Sequence, residues 1–236
     1  MKKFYKLVSI HEDGQGYHIH LDGRAVKCPS GTVLIAPTKA LAEKLQAEWS
    51  AQENTIVPDT MPLTQILTTQ IDRVSRERNA METALFKYLD TDLLCYRAGA
   101  DPAGQREAQE QMWNPWLDWF KEKFGVNLET THSITALTQP EEAHKKVRDY
   151  ITALDDARFT AMQLVAALSG SIILGLAFAE HAITPQQIFD CTHVEEDFKG
   201  RIYDKDKYGL DPLEEKKDAA MMRDLKAAEK FLKLLD

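Results

Sequence analysis

Cysteine is scarce and scattered in this 236-residue chain. Cys28, Cys95 and Cys191 are far apart and odd in number, with no Cys-x-x-Cys pair, so neither a disulfide framework nor a zinc ribbon is indicated. A reducing compartment fits that usage. The chain also lacks a basic run or stripe, and its net charge is −8, which argues against a nucleic-acid binder. No P-loop and no nucleophile elbow occur. Gly14-Gln15-Gly16 lacks the third glycine and the following helix of a dinucleotide loop, and reads instead as a hairpin turn. Ser169-Gly170-Ser171 lies inside an apolar segment instead of after a strand. The opening Met-Lys-Lys-Phe-Tyr-Lys has no long apolar run behind it, so it resembles neither a secretory signal nor an Arg-rich transit peptide. Only one stretch approaches membrane-span length. Residues 161–178 are 18 without a charge, but a span needs about 20, and Gln163, Ser169, Gly170 and Ser171 interrupt them. The segment reads as one central helix buried on all sides, its small residues admitting close neighbours.

What is present is the composition of a globular protein, 44% hydrophobic and 28% charged. Residues 1–60 hold seven Lys/Arg and seven Asp/Glu, so the remainder carries the whole negative excess, a compositional shift that suggests two units. The first third reads as strands. Lys6–Ile10, Tyr17–Leu21 and Val33–Ile35 are short and rich in β-branched or aromatic residues, with turn chemistry at 13–16 and at Asp22-Gly23. Pro37-Thr38 opens a helix with Thr38 as N-cap, and Leu41, Leu45 and Trp49 give it one apolar face. From Met61 onward the pattern is helical: a stripe from Leu63 to Val74, another from Met81 to Tyr88, then Gln105–Phe124, a helix opened by Pro140, another opened by Thr184-Pro185, and a last one opened by Asp211-Pro212. Asn127–Ile134 reads as extended chain returning to the N-terminal sheet. The expected class is therefore α+β: a small β-rich N-terminal domain with one helix (1–60), followed by a larger all-helical C-terminal domain (61–236).

Several groups invite a chemical reading. His18 and His20 share one face of a strand but have no third metal ligand at a fixed spacing. Cys191 and His193, two apart on a helix, do not face each other as nucleophile and base would. Asp90 and Asp92 read as turn or cap residues before paired catalytic carboxylates. Asp204 to Glu215 mimics a calcium loop, except that Tyr208 occupies its fifth position and Pro212 falls where the loop needs freedom. Trp113 and Trp116 fall on a core face with Phe120, whereas Trp119 is turned away as a candidate partner-binding aromatic. No cofactor and no metal are expected.

Six strings in unbroken order resemble one family: "LDGRAVKCPS" from Leu21, "LIAPTKALAEKLQAEWSAQ" from Leu34, "MPLTQILTTQID" from Met61, "YLDTDLLCYRA" from Tyr88, "QMWNPWLDW" from Gln111 and "SGSIILGLAF" from Ser169. Together they are similar to the assembly chaperones of the F-type ATP synthase alpha subunit found in mitochondria and alphaproteobacteria. The resemblance implies a two-part fold and a non-enzymatic job: covering the apolar surface by which the free alpha subunit later meets the beta subunit. It implies the alpha subunit as partner and, with no transit peptide in view, a bacterial cytoplasm or, after processing, a mitochondrial matrix; the missing basic stripe and the short, interrupted apolar run lead to the further expectation of a monomer with no nucleic acid and no stable membrane insertion. The C-terminal part departs from the family's Asp-Glu, Gln and Trp-Gly-x-Asp blocks, with Glu195-Glu196, Lys199 and Tyr208-Gly209-Leu210-Asp211 in their place. Glu196 and Asp211 align with the acidic positions and, with Glu195 and Trp119, are the expected partner-binding residues. Two alternatives stay open, a small-molecule enzyme using Asp90/Asp92 or Cys191/His193, and a membrane-associated assembly factor using 161–178.

Overall fold

The computed structural model describes residues 1–99, 102–202 and 212–235, with backbone only at 199, 201 and 202. The chain forms two compact units. One comprises Met1–Arg78, Asp156–Ala161 and Lys226–Asp236; the other comprises Asn79–Asp155 and Met162–Leu225. The fold is α+β, a small antiparallel sheet at the N-terminus followed mostly by helix.

In the first unit, β1 (Val8–Asp13) and β2 (Gly16–Leu21) form a hairpin in the register Ile10↔Ile19. Asp13 Oδ1 accepts from the Gln15 amide at 2.7 Å, closing the turn. Gly16 is obligatory there: φ is +138°, and a Cβ would lie 2.7 Å from the Ala36 carbonyl oxygen. The second turn places both Asp22 and Gly23 at positive φ, the backbone of a two-residue hairpin loop, and leads into β3 (Arg24–Ala25). β4 (Ile35–Ala36) also pairs with β2. Alternation along β2 buries Ile19 and Leu21, and helix α1 (Lys39–Ser50) packs on the sheet with Leu41, Ala42 and Leu45 fully buried.

Thr38 caps α1 as expected, its Oγ1 accepting from the Leu41 amide at 3.2 Å while donating to the Leu234 carbonyl at 2.5 Å. Glu48 then reaches from α1 to the start of α2 (Pro62–Thr69), accepting from the Leu63 and Thr64 amides at 2.9 and 2.8 Å. Its burial raises the carboxyl's pKa despite these donors. A π-turn over Gln70–Val74 separates α2 from α3 (Ser75–Phe86).

The second unit is organised around α4 (Gln105–Phe124), which contacts α5 (Glu141–Ala153), α7 (Ile172–Ala179) and α8 (Pro185–Ile202). Trp113 and Phe120 are buried on its inner face, and the Trp113 Nε1 donates to the Cys191 carbonyl at 2.8 Å. The last helix, α9, spans Pro212–Lys233, with Glu214 and Glu215 in its first turn and Lys230 and Lys233 in its last, the order the helix dipole favours.

Two expectations need correction. The uncharged run 161–178 is not one helix: α6 (Asp156–Ser169) ends at Gly170, whose φ is +68°, and α7 restarts at Ile172 with Ser171 as N-cap. Composition hid the break because glycine and serine also suit close helix packing. All eight residues of α7 are buried, whereas α6 is not enclosed on all sides: Ala167 is exposed and Gln163, Leu164 and Leu168 are half-buried. Gly175 packs so tightly that a Cβ there would sit 2.9 Å from the Met162 carbonyl oxygen. Among the described residues no helix is long and apolar enough to cross a membrane. The extended segment near Thr131 does not join the N-terminal sheet. It bridges Tyr96 in parallel, with Arg97 N donating to Thr131 O and Thr131 N to Cys95 O, both at 2.8 Å.

Candidate functional site

The groups with catalytic potential are tied into structure. Asp92 is fully buried. Its Oδ1 accepts from the Leu94 amide at 3.0 Å, and its Oδ2 accepts from the Ile173 amide at 3.1 Å and the Ser171 hydroxyl at 3.0 Å. Burial pushes its pKa up to about 6 against the pull of those donors. It therefore joins the turn after Tyr88 to the start of α7, at the place where the apolar run breaks. Asp90 has a different set of partners, the Gln139 amide at 2.8 Å and His144 Nε2 at 2.9 Å, so the two aspartates do not form a shared carboxylate site.

Cys191 is buried, and burial pushes its thiol up to about 12, far from a thiolate nucleophile near neutral pH. His193 looks elsewhere: its ring stacks on Phe189 at 3.9 Å, and its Nε2 lies 3.1 Å from Asp218 Oδ1. On the hairpin, His18 Nε2 lies 2.9 Å from Asp13 Oδ2, and the His11, His18 and His20 rings are 5.4 to 6.4 Å apart. Among the described residues no group of three His, Cys, Asp or Glu is placed to hold a metal ion.

The expected partner-binding residues have unlike surroundings. Glu195 and Glu196 are successive on α8, so their side chains diverge by about 100° around the axis. Glu195 Oε1 accepts from Gln109 Nε2 at 2.6 Å, and the buried Gln109 in turn accepts from the Ala98 amide at 2.7 Å. Glu195 is thus partly committed to joining α4 and α8. The Glu196 side chain is 61% exposed and 3.8 Å from His193 Nε2, making with Asp218 an acidic pair flanking that ring. Trp119 is half-buried, edge-on to Phe124 at 6.3 Å. Trp116, expected in the core with Trp113, is also only half-buried. Asp211 and most of the calcium-like segment, from 204 to 211, lie outside the described residues. No described contact joins Trp119 to the two glutamates.

A surface that sequence reasoning missed lies on the first unit. Met1, Phe4, Tyr5, Leu21, Val26 and Trp49 are among the residues lining a 530 Å³ pocket that Asp22, Arg24 and Lys27 border. Trp49 is not the fully buried continuation of the Leu41/Leu45 face. It is half-buried, and its Nε1 is enclosed without a hydrogen-bond partner. The available signal was the opening of the chain, where Phe4 and Leu7 alternate with lysines on either side of Tyr5.

Against known proteins, residues 2–121 match the family model described as ATP12 chaperone protein. "Protein atp12, mitochondrial" of Schizosaccharomyces pombe is 26% identical over 206 residues, which cover 82% of this chain and 70% of that protein. The crystal structure of Atp12 from Paracoccus denitrificans is similar over 100% of this chain and 98% of its own, with a TM-score of 0.86 and 31% identity. The Atu1473 protein of Agrobacterium tumefaciens gives a TM-score of 0.88 at 30% identity, covering 100% of this chain and 86% of its own. This chain belongs to the ATP12 chaperone family.

Proposed function

We propose that this protein is an assembly chaperone of the F-type ATP synthase, which binds the free alpha subunit of the catalytic head and shields its beta-facing surface until the beta subunit takes its place. The observation that carries the reading is the family match over residues 2–121, supported by whole-chain similarity to the Paracoccus Atp12 structure. The chemistry described above agrees with it. Asp92 and Cys191 are enclosed by packing, and Asp90 is engaged by His144 and Gln139. Handover needs no nucleotide hydrolysis by the chaperone, because the stronger alpha–beta interface can drive exchange. The protein works as a monomer in a bacterial cytoplasm, or in the mitochondrial matrix if it is a processed eukaryotic chain.

Glu196 is the first candidate for a client contact on α8, with Glu195, Asp211 and Trp119 as further candidates. Glu196 presents an exposed carboxylate that can steer a basic client surface. The test of the function is capture and handover. Purified alpha subunit, which aggregates alone, stays in solution when this protein is added, and beta subunit displaces the chaperone without nucleotide. Alpha subunit that aggregates equally with and without the protein would overturn the proposal.

A further inference from the structure

We propose that the first unit carries a client-docking pocket, formed around Phe4, Tyr5, Leu21, Val26 and Trp49, that accepts a bulky apolar side chain flanked by carboxylates on the partner polypeptide. The proposal rests on the chaperone reading and adds a surface to it.

Exposure is the first observation. Met1, Phe4 and Leu7 are 74%, 66% and 63% exposed, a concentration of large apolar groups of the kind that marks interaction surfaces. This exposure is built in by the backbone. The Ile56 amide donates to Met1 O at 2.7 Å, Lys3 N donates to Asn54 O at 3.0 Å, and the Lys6 and Leu7 amides donate to the Asp22 carboxylate. Between them Tyr5 turns inward, and its hydroxyl donates to Trp49 O at 2.7 Å. With Tyr5 fixed on the inner side, Phe4 is held outward in advance, so a partner need not meet the cost of ordering it.

Shape is the second. The pocket's 530 Å³ falls within the range typical of ligand clefts, roughly 300–1,000 Å³, and suits one large side chain with neighbouring main chain. Trp49, in its wall, keeps an enclosed Nε1 donor with no acceptor. That donor is enclosed, so what Trp49 offers a docked segment is its ring and not a hydrogen bond.

Charge selects the flanks. Arg24 and Lys27 border the pocket in a chain whose net charge is −8, and outnumber the one bordering carboxylate, Asp22, whose oxygens already accept from the Lys6 and Leu7 amides. A cationic rim around an aromatic floor favours an apolar anchor with acidic neighbours over a basic or wholly apolar segment.

The test measures capture of purified alpha subunit by the full-length protein and by Phe4→Ser, Trp49→Phe and Arg24→Glu/Lys27→Glu variants, with circular dichroism melts and sedimentation run on each. Expected are at least tenfold weaker capture by Phe4→Ser with an unchanged melt, several-fold weaker capture by Trp49→Phe, and a capture by the charge variant that no longer weakens with salt. Parent-like capture by folded Phe4→Ser would overturn the pocket and leave the chaperone reading standing. No capture by the parent would overturn both. A parent dimer that Phe4→Ser dissociates would assign the patch to self-association and also overturn the proposal.

Discussion

The turn around Asp92 and the N-terminal pocket are opposites in how they treat polar groups. Asp92 is fully buried, yet its carboxylate is saturated by two backbone amides and a serine hydroxyl. Trp49 is half-buried, yet its indole donor has no acceptor, beside Phe4 standing in solvent. Saturation is the mark of a device that holds helices in place, because a buried donor without a partner costs about 1–3 kcal/mol. Large apolar groups standing exposed beside a pocket are the mark of a place awaiting a partner. Had the two carboxylates and the cysteine been judged by type alone, the closed region would have looked functional and the open one unremarkable.

Substitutions should separate the two regions by size of effect. Asp92→Ala strands the Leu94 and Ile173 amides and the Ser171 hydroxyl, and should destabilise by roughly 3–5 kcal/mol in urea unfolding. A loss below about 1 kcal/mol would remove Asp92 from the structural class. The same residue should give a pH signature. Its folded pKa of about 6 lies above the ordinary aspartate value of 3.8, so the native state keeps a proton that the unfolded state releases. The associated stability is complete below about pH 4, falls by roughly 3 kcal/mol as pH rises to 6, and is level above that. Asp92→Asn should flatten that portion of the urea-midpoint profile. Gly175→Ala forces a Cβ to within 2.9 Å of the Met162 carbonyl and 3.2 Å of Ala166 Cβ, and should cost about 1–3 kcal/mol by thermal melt.

At the open end of the scale, Phe4→Ser should change stability by no more than about 0.5 kcal/mol, since its ring is mostly in water already. Glu196→Lys should be equally neutral for the fold while weakening alpha-subunit capture at low salt, with the difference shrinking as screening shortens to about 8 Å near physiological ionic strength. Equal capture by this variant and the parent across salt concentrations would take Glu196 out of the client contact.

Local signals read well from the sequence. Thr38 caps α1, Gln105–Phe124 forms α4, and Pro212 opens α9, because caps, prolines and helical periodicity act over a few residues. Signals that need a distant partner did not. The break at Gly170-Ser171 is held by Asp92, 79 residues before Ser171, and its local signals, a glycine that can take positive φ and a serine that can cap, read equally well as small residues for close packing. Trp49 shows a second limit. Steps of four residues advance 400°, so by Trp49 the face begun at Leu41 has turned about 80° away from the core. The candidate site was legible only in outline. Acidic character on α8 was visible, but which glutamate points to solvent depended on Gln109, 86 residues away from Glu195.

The bond from Thr38 to the Leu234 carbonyl spans 196 residues of sequence. On a ribosome adding about 5–20 residues per second, the second partner follows the first by roughly 10–40 s. Throughout that interval the hairpin, its exposed Phe4 and Leu7, and α1 exist without residues 226–236, which belong to the same compact unit. Apolar surface exposed before the rest of its unit is made is prone to association. The nascent form of this chain thus faces, for much of its synthesis, the same hazard of early self-association that its finished form is proposed to prevent in another protein.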